Sequence, residues 1–531
     1  MKAMQDTGKV LIVGAGPTGL MLACQLALRG IPFRIIDTNR DHTTQSRAIV
    51  IHAASMELFA QMGVADRFLE LGKPVQAINF IVKGKVAEHI ALFSEFGKSL
   101  TEFPFFLALE QSKTEKLLSD YLEKRGHTVD WNTELISLTQ TTEQVQAVLR
   151  KDGVKEEGAA ATWLVGADGA KSKVRHLLNI PFGGETYPMD LFVLDCKIDW
   201  PLKNNELSIA FSDHSFAGFF PLPEDRCRVV GFVPDEFAGK TDLRFEDVEA
   251  GFADRMQMDA RLYDPSWIST YRAHHRYVSE FRKGRCFLAG DAAHVHSPVG
   301  AQGMNTGLHD AYNLAWKLAL VMQGKAKETL LSSYQDERLP FARQLVRTTD
   351  RAFGFTVSRS PFVKVMRMHV APHLLALVVK IKFIARFVFK NISQIGITYR
   401  NSAFEKASEG SFPPAAPKPG QRLPLIGFED SAGRLVNVQH VVNTVTFHLL
   451  ILLEEAKEDR AHGLTDLAGK YPDIISVRSI PLAKGSAPLF QRLGIKKEGF
   501  FLIRPDLYIA YRSSRLETDG LAIYLDSFLT R

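Results

Sequence analysis

Residues 10–38 read VLIVGAGPTGLMLACQLALRGIPFRIIDT, and this stretch decides the fold. Val10–Val13 is a short apolar run that reads as a buried strand, and the apolar residues from Leu20 to about Arg29 recur at helical spacing. Gly30 and Pro32 punctuate the chain, and Phe33–Ile36 reads as a second strand ending at Asp37. Between strand and helix lies Gly14-x-Gly16-x-x-Gly19. In a strand–turn–helix unit the first glycine makes the tight turn and the second lets backbone approach a pyrophosphate. The third lets helix and strand pack closely, and the helix N-terminus favours the anion. Asp37 stands where a carboxylate accepts hydrogen bonds from an adenosine ribose. The reading is an α/β dinucleotide-binding fold.

Working outward, 111–125 reads as a helix, Trp163–Val165 as a strand running into GADG, and 285–289 as a buried strand before GDAAH and a helix over 308–323. Between 183 and 280 short Phe-, Val-, Leu- and Ile-rich segments alternate with turn residues, which predicts an antiparallel sheet crossed by helices. The segment 361–390 reads as helical, with apolar runs split by basic residues. SFPPAAPKPG (411–420) has the composition of a linker. Beyond it, strands over Val445–Leu453 and Ile474–Ile480, a hairpin over Phe500–Tyr511 and a final helix predict a small thioredoxin-like domain without CxxC. The expected division is 1–182 with 281–400, the latter carrying 361–400 as a helical extension, as the nucleotide-binding domain. Residues 183–280 form a substrate domain and 411–531 the C-terminal domain.

Composition narrows the function classes. Sixty-five Lys and Arg against 59 Asp and Glu leave a formal charge of +6, but seven basic and no acidic residues fall in 361–400. The rest of the chain is near neutral, so no global nucleic-acid footprint exists. Cys24, Cys196, Cys227 and Cys286 are far apart and fit a reducing cytoplasm. His294-x-His296 lacks a third ligand at metal spacing, and no metal is expected. No stretch reads as a membrane span. A homodimer is left open.

GADGAKSKVR (166–175) and FLAGDAAHVHSPVGAQGMN (287–305) resemble the two internal signatures of the class A FAD-dependent aromatic monooxygenases, the phenol and polyketide hydroxylases. The resemblance continues through SRAIVIHAASMELF (46–59), Gln111 with Glu115, DAYNLAWKLALVMQG (310–324), SYQDERLPFARQLV (333–346), ISQIGITYR (392–400) and RPDLYIAYR (504–512). It implies a Rossmann-like FAD-binding domain interleaved with a β-sheet substrate domain. It also implies that NAD(P)H reduces FAD, that O2 adds at flavin C4a, and that the hydroperoxide hydroxylates an electron-rich ring. Carried over by position, Asp291 faces the ribityl chain, and Gly303, Met304 and Asn305 face the flavin pyrimidine edge. Arg47 and Gln111 face phosphate or ribityl oxygens, and Thr18, Thr38 and Leu135 the adenosine end. Asp168 belongs to the DG motif, and Pro298 to the reacting face of the ring. For the substrate, His214, Tyr187 and Arg226 are candidate base or cationic groups, and Phe216 and Phe219 candidate pocket walls. Side chains alternate along strands, so these cannot all face one way.

Two departures stand out. His52-Ala53-Ala54-Ser55 replaces HAR[ST], and Ala301 replaces a common Gly, which matters where φ must be positive. Two other functions stay open: an antibiotic-inactivating monooxygenase of rifamycin or tetracycline type, and a non-catalytic FAD-fold binding protein. The WxWxIP signature of flavin halogenases is absent.

Overall fold

The computed structural model describes residues 5–6, 10–43, 48–91, 97–213, 215–240, 242–358, 360–399, 407–442, 445–454 and 460–531. The chain forms two compact units. The first comprises Met1–Cys24, Phe33–His309 and Ala342–Gln394; the second comprises Gln25–Pro32, Asp310–Phe341 and Ile395–Arg531.

The first unit holds the nucleotide-type sheet. Its five strands run in the order Arg282–Lys283, Cys286–Leu288, Trp163–Gly166, Val10–Val13, Phe33–Ile36. The last four are parallel. Val10–Val13, Trp163–Gly166 and Cys286–Leu288 are buried throughout, which is why they read as unbroken apolar runs and not as alternating ones.

The same unit carries an eight-stranded sheet that is wider than the segment 183–280. Strands Ile78–Val82 and Lys85–Ile90 join at one edge and His294–Val295 at the other. Leu207–Phe211 pairs parallel with Ile78–Val82, a partner far back in the chain. The remaining pairs are antiparallel. One face is closed: Phe192, Leu194, Cys196, Phe219 and Val229 form a core with Phe252 and Met256. The opposite face is only half covered.

The second unit contains a five-stranded sheet in the order Ala407–Glu409, Ile509–Ser513, Gly499–Ile503, Phe447–Glu454, Ile475–Leu482. Phe447–Glu454 and Ile475–Leu482 are parallel, and Gly499–Ile503 is antiparallel to its two neighbours. Buried polar residues stitch this unit. Glu337 accepts from Lys317 Nζ at 2.8 Å and from Arg504 at 2.7 and 2.9 Å. Arg504 also reaches Asp506, and Trp316 Nε1 donates to Asp506 at 3.1 Å. Arg338 pairs with Asp310 at 2.6 Å.

Candidate active site

The three glycines of the turn have three different reasons to be there. Gly14 adopts φ +104°, and a Cβ on it would lie 2.4 Å from the Ala167 carbonyl oxygen. A Cβ on Gly19 would lie 1.9 Å from Gly14 O. Gly16 meets nothing within 4 Å, so the chain leaves open space on that side, as a phosphate needs. Asp37 Oδ2 accepts from Ala15 N at 2.7 Å and its Oδ1 from Asn39 N at 2.8 Å, which ties the second strand to the turn. Thr38 is exposed just beyond it.

Asp168 is committed to the protein. Its Oδ1 accepts from Ser172 Oγ at 2.6 Å and its Oδ2 from Val174 N at 3.0 Å, so it caps the helix Lys173–Leu177. Burial pushes its carboxyl up against those hydrogen bonds. Arg175 of the same helix donates to Ala292 O at 3.0 Å and fastens the DG motif to the Gly290–Ala292 turn.

Thr18 lies at this junction and not at the adenosine end. A Cβ on Gly290 would come 2.5 Å from Thr18 Oγ1, and one on Gly307 would come 2.2 Å from it. The glycine turn, the Asp291 turn and the helix Gly303–Met322 therefore interlock through one hydroxyl. Asp291 is exposed on its turn. The helix begins five residues earlier than the expected 308, so Gly303, Met304 and Asn305 are its first residues, whose N–H groups lack intrahelical acceptors. The side chain of Asn305 is used internally: Oδ1 accepts from His52 N at 2.8 Å, and Nδ2 donates to Val50 O at 2.8 Å and to Ala301 O at 3.1 Å.

The turn before that helix is held from below by His52. Its Nε2 lies 3.0 Å from Gly300 O and 3.1 Å from Ala301 O, which makes it the protonated nitrogen. Burial lowers the His52 pKa to about 4. Ala301 does adopt positive φ, +50°, following Gly300 at +78°. Ala54 is buried and its N donates to Ser393 O at 3.2 Å, so this stretch of helix packs where the family arginine would start. His296 Nδ1 donates to Ser297 O at 2.8 Å, leaving Nε2 an acceptor without a partner among the described residues, 3.6 Å from where a Cβ on Gly303 would lie. Burial lowers the His296 pKa to about 4.

Gln111 opens the helix Gln111–Glu123 and donates through Nε2 to Glu115 Oε1 at 2.9 Å. Burial, reinforced by Asp37, pushes Glu115 up to about 7. Leu135 is buried in the strand Thr133–Gln140, so its side chain is core. Arg47 and His214 lie outside the described residues.

The half-covered sheet face completes the site. Its register gives three cross-strand rows: Phe220, Arg228, Asp195, Trp267; then Gly218, Val230, Val193, Ser269; then Phe216, Phe232, Leu191, Tyr271. The middle row has the smallest side chains and lies as a shallow trough between two bulkier rows, narrowed over Gly218 by Phe220 and Phe216, whose rings lie 3.3 and 3.9 Å from where a Cβ would be. Arg228 makes a bidentate pair with Asp195 (2.7 and 2.7 Å) and donates to Ala48 O at 3.4 Å, beside Gln111. On the other wall Val299, next to exposed Pro298, packs on the Leu191–Ala273–Phe353 cluster together with Tyr187, Tyr271 and Phe232. The Ala48 segment thus borders one wall of the trough and the Pro298 turn the other.

Two expectations are corrected here. Phe219 points into the opposite core, 1% exposed; only Phe216 faces the trough. Tyr187 is not a base: its hydroxyl donates to Asp350, and burial together with that carboxylate pushes its pKa up. Asp350 also lies 3.3 Å from His275 Nδ1. This Tyr–Asp–His group escapes sequence reading because Tyr187 and Asp350 are 163 residues apart. His274 instead bonds Thr186 Oγ1 at 2.8 Å. Arg226 is paired with Asp264 at 3.2 Å at the sheet end.

The residues fit FAD: an open glycine turn, a helix N-terminus and an unpaired acceptor nitrogen converge in one unit. Residues 7–349 match the family described as FAD binding domain. The chain is 32% identical over 536 residues to 6-methylpretetramide 4-monooxygenase from Streptomyces rimosus, covering 98% of this chain and 94% of that one. It is 33% identical over 399 residues to rifampicin monooxygenase from Streptomyces venezuelae, covering 73% and 79%. The solved structure of OxyS anhydrotetracycline hydroxylase from Streptomyces rimosus superposes with a TM-score of 0.76 at 26% identity, covering 98% and 99%. Sequence, geometry and relatives agree, and the chain belongs to the FAD binding domain family as an FAD-dependent monooxygenase.

Proposed function

We propose that this enzyme hydroxylates a phenolic or polyketide aromatic lying in the Gly218–Val230–Val193–Ser269 trough, with NAD(P)H as electron donor. The observation that carries the reading is the small middle row between a row with Phe220 and Trp267 and a row with Phe216, Phe232 and Tyr271, a slot for a planar ring bordered by the Pro298 turn. The relative acting on 6-methylpretetramide, aligned over nearly the whole chain, supports a fused-ring substrate.

In this reading Gly14, Gly16 and Gly19 hold the pyrophosphate, and Asp37 and Thr38 the adenosine ribose. Gln111, Arg47 and Asp291 hold phosphate and ribityl oxygens, and the backbone of Gly303, Met304 and Asn305 the flavin edge. Thr18, Asp168 and the Asn305 side chain position these segments. Bound FAD supplies reducing equivalents and oxygen activation; the protein orients the ring, excludes water and manages protons. In this reading Asp350, which accepts from Tyr187 and lies beside His275, takes a phenol proton near the Pro298 turn, and His214 is retained as a further candidate base. We read the C-terminal five-stranded sheet as a thioredoxin-like domain, and the missing CxxC motif supports a structural role over dithiol exchange. Four unpaired cysteines fit a cytoplasmic setting.

The test is NAD(P)H oxidation across phenols and fused-ring aromatics, with product mass and peroxide release measured together. Addition of one oxygen, and a KM raised about tenfold or more by Val230→Phe with FAD affinity unchanged, are expected. Bound FAD that stays oxidised with every aromatic and either nicotinamide would sink it. A second reading, inactivation of a rifamycin- or tetracycline-type antibiotic, is favoured by the rifampicin monooxygenase relative. Expression that leaves a sensitive host's tolerance unchanged removes it.

A further inference from the structure

Residues 361–392 form a helical hairpin whose outer side is apolar. Pro361–Val379 runs continuously through a π-helical turn at Met366–Val370, and Lys382–Ile392 follows. Met368, Pro372, Ala376, Ala385 and Phe389 are buried against the protein. On the other side Phe362, Val365, Leu374, Leu377, Phe383 and Phe387 are exposed, Phe383 to 80% and Phe362 to 74%. Soluble surfaces scatter single apolar side chains; these recur at helical spacing as a stripe.

The stripe is held outward. Lys364 pairs with Asp213 at 2.9 Å, His373 with Glu88 at 2.6 Å, and Arg367 donates to Phe355 O at 3.1 Å. Glu88 lies on the edge strand of the eight-stranded sheet, and Gln394, just past the hairpin, donates to Thr306 Oγ1 at 3.1 Å. The hairpin is therefore fastened between the sheet edge and the flavin helix.

Charge selects the occupant. Lys380, Lys382 and Arg386 are exposed and have no acidic partner among the described residues, and 361–400 contains seven Lys and Arg with no Asp or Glu. A second copy meeting this face by two-fold symmetry would set these like charges against each other. An anionic phospholipid surface satisfies both the cations and the apolar stripe. Pro361–Val379 meets the length and hydropathy of a spanning helix, but its buried side is committed to the protein. A helix held to the protein along one side can lie in the interface plane but not cross it. We propose that residues 361–392 seat the enzyme on anionic membrane, with Phe383 and Phe387 in the acyl boundary and Lys380, Lys382 and Arg386 on lipid phosphates. This goes beyond hydroxylation and stands independently of the substrate.

The test is flotation of the full-length, FAD-loaded protein with vesicles of phosphatidylcholine alone or with about 30% phosphatidylglycerol. Binding to the anionic vesicles at least tenfold tighter than to neutral ones is expected. Lys380→Glu with Lys382→Glu and Arg386→Glu should weaken it roughly a hundredfold. Phe383→Ser with Phe387→Ser should abolish it, with unchanged flavin absorbance and melting reporting intact folding. Should either variant misfold, raising salt to about 0.5 M must release the wild-type protein. Absence of flotation with either vesicle overturns the proposal, as does salt-insensitive binding. Concentration-dependent self-association that the serine variant breaks, without vesicle binding, assigns the face to a second copy and also overturns it.

Discussion

In the second unit Lys317, Glu337, Arg504 and Asp506 are almost wholly buried, and each is paired or hydrogen-bonded. Around the Pro298–Gly303 turn of the first unit, His52 Nδ1, Ser55 Oγ, His296 Nε2 and Gln394 Oε1 are enclosed and have no hydrogen-bond partner among the described residues. Buried polar groups cost free energy when unpaired, so the first arrangement specifies a structure. The second retains unmet hydrogen-bonding capacity beside the proposed flavin edge. Polar burial that serves the fold thus differs from polar burial that the fold leaves unpaired.

The sharpest way to break it is Glu337→Gln. Burial alone would raise this carboxyl, but Arg504 and Lys317 outweigh that and hold it well below the usual range. Removing its charge strands two buried cations and should cost about 3–5 kcal/mol, read as a lowered unfolding midpoint in denaturant with FAD affinity preserved. Equal loss of FAD affinity would merge the two regions into one.

Acid probes the first region. The His52 pKa is depressed from 6.5 to about 4, so its contribution is present above 6.5 and lost as pH falls towards 4. The loss is worth about 3 kcal/mol by pH 4. His52→Asn, which keeps a donor, should flatten the pH dependence of the melting midpoint between 6.5 and 4. An unchanged slope would place the acid-sensitive group elsewhere.

The smallest effect is Ala301→Gly. A non-glycine residue at φ +50° carries strain of about 1 kcal/mol. Glycine should raise unfolding stability by about that amount while loosening the turn, seen as more peroxide released per NAD(P)H consumed. A stability drop would show that Ala301 packing outweighs its backbone strain.

These regions were unequally legible in the sequence. The glycine turn and its flanking strands follow from local spacing, since Gly14 through Asp37 fold against one another. The trough does not: Ile78–Val82 joins the sheet from more than a hundred residues upstream of Leu207–Phe211. Strand alternation said that Phe216 and Phe219 face opposite ways, but only the helices behind Phe219 decide which is inside. The motif around Asp168 was read correctly as a motif, while its carboxylate turned out to cap a helix. The Lys317–Glu337–Arg504 set joins charges that look like ordinary surface residues in a linear reading.

The Thr18 interlock bears on how such sequences diverge and how they can be recombined. Residues 18, 290 and 307 share one volume, so a methyl gained at 290 or 307 must be matched by a smaller or turned side chain at 18. These three positions should co-vary among homologues. A chimera that imports a foreign GxGxxG segment will need its donor's residues at 290 and 307 as well, because the cassette boundary runs through three dimensions and not along the chain.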